Sequence, residues 1–313
     1  MITKRLTWTL SHAEDKCAEP KDKIPATVPG AVQLDYAKAF EYKPYYYGLN
    51  FKQFDWMEDE YFFYESVLDF SCAEGQRAML VFDGIDYEYE IEIDGEPLAC
   101  GKGAFTPVKI DVSRYSGRAV PIKVTVFPIP KEMPYPQKRF QARSSCKPAS
   151  SYGWDWHPRL VPSGIWGDVR IEIFSLPAAR DVEVSYRLSD DLSSVTVGAE
   201  FTALGCGTLT AELISRDGKV AAQKEITASD GATESFTLTL DSPELWYPRV
   251  TKERPSSTVW SLYSLINFSE KWNMWLVASI GCPLLSKSQF SPSRYLYPPM
   301  ISSASGFHTM SCL

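Results

Sequence analysis

A strictly alternating stretch at residues 85–93 constrains the fold more than any other feature of this sequence. Apolar or aromatic residues and carboxylates take turns along it, in the order Ile85, Asp86, Tyr87, Glu88, Tyr89, Glu90, Ile91, Glu92 and Ile93. A period of two sends successive side chains to opposite faces of a β-strand. Asp94 and Gly95 follow, and this pair favours a type I′ hairpin turn. Residues 8–174 repeat the pattern of short alternating segments between turn residues, which predicts an all-β fold.

The carboxylates of that stretch admit two interpretations. They could form an acid–base pair or a metal-binding cluster. We favour a solvated strand face, because like charges at a period of two, with no histidine among them, are typical of an exposed face.

Residues 177–249 predict a second, smaller β-domain after the break at Leu176 and Pro177. Alternating runs occur at residues 182–188, 195–201, 209–213 and 236–240. A hairpin signal, R-D-G-K, stands at residues 216–219. Short strands over such a length suit a small sandwich of the immunoglobulin type.

Residues 250–313 form an atypical tail. They contain fourteen serines and no aspartate, and no period of a helix or a strand persists. We expect a frameshift or a truncated gene, in which case the tail is disordered and the second sandwich exposes an unpaired edge. The alternative is a genuine but divergent segment in which residues 259–268 supply the missing strand.

The charge of the chain argues against two classes of partner. Thirty-two Lys plus Arg against 39 Asp plus Glu give a net charge of −7. No basic surface for nucleic acid or an anionic membrane is expected. The first residues lack the apolar core of a signal peptide, and the seven cysteines, without a C-x-x-C pair, are interpreted as reduced thiols. We therefore expect a cytoplasmic protein.

No motif for nucleophilic, metal or cofactor chemistry is visible. The chain has three histidines and lacks phosphate-loop, H-E-x-x-H and G-x-S-x-G patterns, as well as Cys/His spacing suited to zinc. We predict no catalytic residue, no metal site and no cofactor.

The most informative stretch is S-Y-G-W-D-W-H-P-R-L at residues 151–160. Trp154 and Trp156 flank Asp155 there. Two large rings are costly in a solvent loop unless they pack or contact a ligand. A sugar suits them, because an aromatic face takes the C–H face of a pyranose and a carboxylate accepts from its hydroxyls. From these residues alone, both a packed pair and a sugar contact stay open.

Residues 153–160 and 164–166 resemble the G-W-D-W-G-P-R…G-I-W signature of the β-mannosidase-type family 2 glycoside hydrolases. Further segments resemble that family in the same order, at residues 28–32, 46–50, 56, 61–64, 82–87, 93–95, 105–108 and 245–248. The resemblance covers about residues 5–249. It implies a jelly-roll β-sandwich at residues 1–176, followed by an incomplete immunoglobulin-like β-sandwich at residues 177–249.

The resemblance also implies roles for single residues. The Trp-Asp-Trp loop of the family helps to form the subsite for the terminal sugar. By position, Asp155 accepts from sugar hydroxyls, Trp154 and Trp156 shape the pocket wall, and Arg159 anchors the loop. Asn50 is a weaker candidate for substrate binding.

Two positions depart from the family pattern. His157 stands where the family usually has glycine, and Gly167 stands where arginine commonly follows the Ile-Trp pair. A purely structural role remains an alternative for Trp156, Trp166 and Arg159.

The resemblance finally indicates what this sequence lacks. In the family, two glutamates on a (β/α)8 barrel perform a retaining hydrolysis. No Asn-Glu pair of the kind that marks the acid/base glutamate occurs here, and a barrel takes about 250 residues, more than follow residue 249.

We therefore expect the accessory sugar-binding part of a β-mannosidase-like hydrolase, lacking the catalytic barrel and inactive alone. Its partner would be a carbohydrate with a terminal β-linked sugar, a mannoside being favoured. A stand-alone carbohydrate-binding protein and a structural or adhesion-type β-sandwich are the alternatives.

Overall fold

The computed structural model describes residues 2–134, 140–142, 144–214, 218–243, 245 and 265–268. Contacts divide the chain into two compact units, with the boundary between Phe174 and Ser175. The described residues form mainly β-strands, so the predicted all-β fold is confirmed.

The first unit contains two main sheets and a short ribbon. Its strands are β1 Ile2–Arg5, β2 Trp8–Ala13, β3 Lys21–Ala26, β4 Tyr61–Leu68, β5 Gln76–Phe82, β6 Glu88–Ile93, β7 Glu96–Lys102, β8 Val108–Asp111, β9 Val120–Val126, β10 Met133–Pro134, β11 Phe140–Gln141 and β12 Val169–Ser175. One sheet has the order β3-β2-β4-β9-β6-β7 and the other β1-β12-β5-β8, while β10 pairs with β11. Three 3₁₀ helices occur between strands, at Asn50–Glu58, Ser113–Tyr115 and Ala149–Tyr152.

The core of the first unit is built from both main sheets. Trp8 and Tyr64 of the six-stranded sheet and Phe82 of the four-stranded sheet are almost fully buried in one cluster. The Trp8 ring centroid lies 6.4 Å from that of Tyr64 and 6.3 Å from that of Phe82. Such shared burial is what holds a β-sandwich together, and the predicted sandwich is confirmed.

The alternating stretch forms β6, which begins at Glu88. Its buried face carries Tyr89, Ile91 and Ile93. Its outer carboxylates form ion pairs with lysines, Glu88 with Lys102, Glu90 with Lys16 and Glu92 with Lys123. Asp94 and Gly95 have φ angles of 55° and 77°, the left-handed pair that a type I′ turn requires.

Asp86 departs from the predicted solvated face. It precedes β6 and is buried, with its side chain directed at Lys147. The solvated-face interpretation is therefore wrong for Asp86, because the strand has not yet begun there and the alternation does not set its direction.

Helix α1, Val32–Ala39, is not predicted by the sequence pattern. It has only two turns, and its buried Val32 and Tyr36 make a single repeat of the helical period. The carboxylate of Asp35 accepts from the backbone N–H of Thr27 at 3.0 and 3.1 Å. This contact ties the helix to the end of β3.

The second unit is a smaller pair of sheets with its own core. Its strands are β13 Ala178–Leu188, β14 Ser194–Leu204, β15 Gly207–Ile214, β16 Val220–Ala228, β17 Thr233–Asp241 and β18 Leu265–Phe268. The sheet orders are β13-β14-β17 and β16-β15-β18. The four predicted alternating runs lie in β13, β14, β15 and β17, and their apolar residues form the core. The mostly exposed β16 carries too weak an alternation to be predicted.

Most of the predicted tail lies outside the described residues, as do Arg216 and Asp217 of the hairpin signal. Within the tail, Leu265–Phe268 forms β18 and pairs antiparallel with β15, from Ala211 opposite Phe268 to Ile214 opposite Leu265. This strand falls inside the segment that the divergent-segment account assigns to the missing strand.

Cysteine usage needs one correction. Cys17, Cys72, Cys146 and Cys206 are free, whereas Cys100 on β7 is disulfide-bonded, so the expectation of reduced thiols is wrong there. Separately, none of the described helices is both long and apolar enough to traverse a lipid bilayer.

Candidate functional site

The Trp-Asp-Trp loop, defined here as residues 148–162, presents its three named residues to solvent. The side chains of Trp154 and Trp156 are 55% and 69% exposed, and Asp155 is exposed as well. The N–H of Trp154 donates to the carbonyl of His157 at 2.9 Å, which closes the tip as a tight turn. Two indoles and a carboxylate therefore stand together at one tip, and neither indole is buried in this chain.

The base of the loop is ordered by local bonds. The 3₁₀ helix Ala149–Tyr152 ends at Gly153, whose φ of 104° favours glycine. The N–H of Leu160 donates to the carbonyl of Ser151 at 2.9 Å, joining the two sides of the loop. The Tyr152 hydroxyl donates to the carbonyl of Pro130 at 2.9 Å, and burial raises the pKa of this phenol.

Arg159 is held by protein groups. Its Nε lies 2.8 Å from Oε1 of Glu58 and its Nη2 lies 2.7 Å from Oε2, a bidentate pair. Its guanidinium also lies 5.3 Å from the ring centroid of Tyr152, and Lys131 Nζ lies 3.2 Å from the same carboxylate. This geometry suits an anchor for the loop.

Asn50 lies at the first position of the 3₁₀ helix that ends with Glu58. Its side-chain amide donates to the carbonyl of Pro44 at 2.9 Å. The same helix thus carries Asn50 at one end and the partner of Arg159 at the other. Asn50 is linked to the Trp-Asp-Trp loop through this helix.

Lys147 and Asp86 form a buried ion pair beside the loop that the sequence interpretation misses. Lys147 Nζ lies 2.6 Å from Oδ1 of Asp86, and the lysine side chain is 0% exposed. The same ammonium donates to the carbonyl of Pro162 at 2.7 Å. Burial lowers the pKa of Lys147, which Asp86 partly offsets, and burial raises the pKa of Asp86, which Lys147 partly offsets. No sequence signal marks Lys147, because it stands alone in a Ser- and Pro-rich segment.

Trp166 is held in place by contacts within the protein. Its indole N–H donates to the carbonyl of Ala104 at 2.6 Å, and its ring packs edge-on against Phe105. A Cβ on Gly84 would lie 2.6 Å from its ring. These contacts account for Trp166 without a ligand.

The structure also gives a physical reason for one departure from the family pattern. A Cβ on Gly167 would lie 2.7 Å from the carbonyl carbon of Asp83, so the larger arginine does not fit this backbone path. At the other departure, His157 Nδ1 lies 2.6 Å from the carbonyl oxygen of Pro158 and the ring packs against Trp156.

No group of three or more His, Cys, Asp or Glu residues with the geometry of a metal site occurs in the part of the chain that the structure describes. The chemistry that the tip offers is recognition: two aromatic faces for apolar surface and one carboxylate for hydroxyl groups.

Comparison with known sequences identifies one domain family. Residues 8–167 match the family model described as "Glycosyl hydrolase 2 galactose-binding domain-like". Among curated proteins, the chain is 27% identical over 259 residues to β-mannosidase B of Neosartorya fischeri and 25% identical over 269 residues to β-mannosidase B of Emericella nidulans. Each alignment covers 77% of this chain and 30% of the relative.

Comparison with solved structures gives the same fold. The β-D-mannosidase of Dictyoglomus thermophilum aligns with a TM-score of 0.65 at 20% identity, covering 88% of this chain and 35% of that one. The exo-chitosanase of Amycolatopsis orientalis aligns with a TM-score of 0.57 at 17% identity, covering 80% and 30%. The chain thus spans about a third of the length of these relatives.

The family match covers just over half of the 313 residues, including the Trp-Asp-Trp loop and Trp166. The curated relatives and the sequence motifs agree with this family, and the solved structures agree with its fold. The chain therefore belongs to glycoside hydrolase family 2, whose galactose-binding-like domain it carries, and it is β-mannosidase-like within that family.

Proposed function

We propose that this chain is the accessory sugar-binding part of a β-mannosidase-like family 2 glycoside hydrolase. Its ligand is a terminal β-linked sugar, with a mannoside favoured, and its full role is hydrolysis of that sugar in carbohydrate catabolism once a catalytic barrel is present. The observation that supports this most is the exposed Trp154-Asp155-Trp156 tip on an anchored loop.

The tip has the chemistry of a sugar subsite. A pyranose presents C–H groups on one face, which suit Trp154 or Trp156, and hydroxyls at its rim, which suit Asp155. Among the described residues, Asp155 has no hydrogen-bond partner of its own, so both of its oxygens can accept from a ligand. Arg159 anchors the loop to Glu58 of the 3₁₀ helix, and Asn50, at the other end of that helix, is the weaker candidate for substrate binding.

A chimera tests the proposal. Residues 2–245 replace the matching part of β-mannosidase B from Neosartorya fischeri, and hydrolysis of an aryl β-mannoside is measured. We expect activity in the chimera and a loss of about tenfold to a hundredfold in kcat/KM in the Asp155→Ala and Trp154→Ala chimeras. Asp190→Ala, the same change in an exposed turn of the second unit, is the control. A folded chimera in which Asp155→Ala hydrolyses the substrate as fast as the parent would refute the role.

The chain alone is proposed to be inactive. Retaining glycosidases need two carboxyl groups about 5 Å apart across the scissile bond, and that pair belongs to the barrel. The purified 313-residue chain, incubated with an aryl β-mannoside, is expected to release product no faster than a blank. Turnover above the blank that is lost on Asp155→Ala would overturn this statement.

A stand-alone carbohydrate-binding protein is the second candidate. It is favoured by the exposure of both Trp154 and Trp156 in the chain as it stands. An incomplete subsite binds too weakly to saturate, whereas a binding module saturates in the micromolar to millimolar range. Saturable binding of methyl β-mannoside by the isolated chain, lost in Asp155→Ala and Trp154→Ala, would therefore favour this second function.

A cytoplasmic location is part of the proposal. Four free cysteines among the described residues support it, whereas the bonded Cys100 points to an oxidising compartment. The protein is denatured directly from the cell in the presence of an alkylating reagent. The number of cysteines that react then decides between a reducing and an oxidising compartment. A cytoplasmic location requires all seven thiols to react, whereas five reactive thiols, the number left by a bond at Cys100, would contradict it.

A further inference from the structure

A single buried ammonium joins both ends of the Trp-Asp-Trp loop. Lys147 immediately precedes the loop, and Pro162 is its last residue. Lys147 Nζ donates to the carbonyl of Pro162 at 2.7 Å and to Oδ1 of Asp86 at 2.6 Å. The entry to the loop, the exit from it and the segment before β6 therefore meet at one nitrogen atom.

Asp86 is itself fixed to the backbone beyond the loop. Its N–H donates to the carbonyl of Gly164 at 2.9 Å, and its carbonyl accepts from the N–H of Gly164 at 2.8 Å. The Ser163 hydroxyl also donates to that carbonyl, at 3.1 Å. The carboxylate that Lys147 meets thus belongs to a residue whose backbone is bonded to the segment that directly follows the loop.

Stability alone is a weak explanation for this ion pair. Removing two charges from water costs about as much as their attraction returns, so apolar residues of similar volume are often equally stable in such a place. An ammonium differs from an apolar residue in holding specific oxygens at fixed distances. A role in holding the loop at a fixed position therefore explains the pair better than a contribution to stability does.

We propose that Lys147 is a positioning residue that sets the arrangement of Trp154 and Trp156 by tying both ends of their loop to Asp86. The inference rests on the proposed function in one respect, since it takes the tip to be the sugar contact. Lys147 itself touches no sugar. It acts on the tip through the Pro162 carbonyl, while the bidentate Arg159–Glu58 pair holds the loop nearer its middle.

The test compares two variants of the full chain by ¹⁹F NMR after incorporation of 5-fluorotryptophan. Trp154→Phe and Trp156→Phe assign the two loop signals. Asp86→Asn is the matched control: it costs stability, because the ammonium loses its counter-charge, but in the folded protein its amide oxygen still accepts from Lys147 and the bond to Pro162 stays. Lys147→Met/Asp86→Asn removes the ammonium without leaving an unpaired buried carboxylate.

We expect Asp86→Asn to keep both loop signals within one line width of their original positions. In the double variant, both signals should move toward the frequency of free 5-fluorotryptophan by more than one line width, while that of the buried Trp8 stays in place. Loop signals unchanged in a folded double variant would overturn the proposal. Should that variant not fold, Lys147→Met/Asp86→Leu, which fills the site with apolar groups, is measured instead.

A second readout separates this inference from the proposed function. Methyl β-mannoside is added to the unsubstituted chimera, in which the whole subsite is present. Loop signals that ignore the sugar there would count against the sugar role of the tip, whereas the comparison of the two variants would still decide the role of Lys147.

Discussion

At the scale of single residues, buried charge is the feature of this chain that matters most. Lys147 and Asp86 are enclosed, and each depends on the other, because an unpaired charge in a low-dielectric interior is costly. The lysines that pair with the glutamates of β6 are at least partly exposed to water instead, and such pairs contribute less. The loss of one partner of a lysine–carboxylate pair is thus expected to lower the free energy of unfolding much more when the pair is buried than when water reaches it.

The first prediction concerns that contrast. Lys147→Met should lower the free energy of unfolding by about 3–5 kcal/mol, because it leaves Asp86 buried without a partner. Adding Asp86→Asn should recover most of the loss. Lys123→Met, which breaks the partly exposed pair with Glu92, should cost less than about 1 kcal/mol. Urea denaturation checks all three, and equal losses for Lys147→Met and Lys123→Met would contradict the burial argument.

A second prediction concerns a glycine. Gly167→Arg restores the residue that the family commonly has, yet its Cβ would lie 2.7 Å from the carbonyl carbon of Asp83. The backbone would have to shift, at a cost of about 1–3 kcal/mol. Thermal unfolding measures this cost, and an unchanged melting temperature would show that the segment relaxes freely.

The residues of the site were predictable to different degrees. The exposed trio Trp154, Asp155 and Trp156 could be selected from the sequence because rings beside Gly and Pro are unusual in a loop. The Glu58 partner of Arg159 could not, since a contact across 101 positions leaves no local pattern. Lys147 was missed for the same reason, and Asp86 was misplaced because alternation sets direction only inside a strand.

At the scale of secondary-structure elements, the alternation of apolar and polar residues predicts those strands that bury one face and expose the other. Strands β6, β13, β14, β15 and β17 follow runs visible in the sequence. Strand β16 is mostly exposed, and α1 has only two turns, so neither carries enough apolar repeats to be recognised. Segments that bury little side-chain surface leave correspondingly little pattern.

The attachment of α1 gives a pH-dependent prediction. Burial raises the pKa of Asp35 above that of an exposed aspartate, although the two bonds from Thr27 N–H partly offset this. A raised folded-state pKa means that the folded state binds the proton more tightly than the unfolded state. The contribution of Asp35 is thus fully present below pH 3.8 and is lost as the pH rises through the folded-state pKa.

Comparison with Asp35→Asn isolates this term, because asparagine does not titrate. The free energy of unfolding of the parent minus that of the variant should fall between pH 3 and pH 7. A difference that rises with pH would have the wrong sign and would show that the bonds from Thr27 outweigh burial.

Strand β18 gives a prediction by hydrogen exchange. It pairs with β15 along four residues, from Ala211 to Ile214. Deleting residues 250–313 should speed the exchange of those β15 amides that bond to β18, and should promote self-association through the bared edge. The amides of β14, which lie between β13 and β17, serve as the internal control. Unchanged exchange on β15 would show that the pairing does not persist in solution.

At the scale of the whole molecule, the chain consists of two units with separate cores. One cluster includes Leu80 of the first unit, and another includes Phe201 of the second. Cores that share no residues can unfold in separate steps, so a single transition is not expected here.

Calorimetry tests this separation with a matched pair of substitutions. Leu80→Ala and Phe201→Ala each remove a fully buried side chain and should cost about 2–5 kcal/mol in their own unit. Each should lower the midpoint of one transition and leave the other within about a degree. A common shift of a single transition in both variants would mean that the units unfold together.

The nitrogen at the base of the Trp-Asp-Trp loop has a consequence for how the loop of this chain could be redesigned. Lys147 closes residues 148–162 into a loop, much as a disulfide closes a loop in a small toxin, and so separates these residues from the rest of the domain. We therefore expect that residues of the tip can be substituted, or further residues inserted there, without a change in the strand register of the β-sandwich. Libraries randomised between Gly153 and Pro158, with Lys147 and Asp86 held constant, would test whether the residues of the tip decide which sugar is bound.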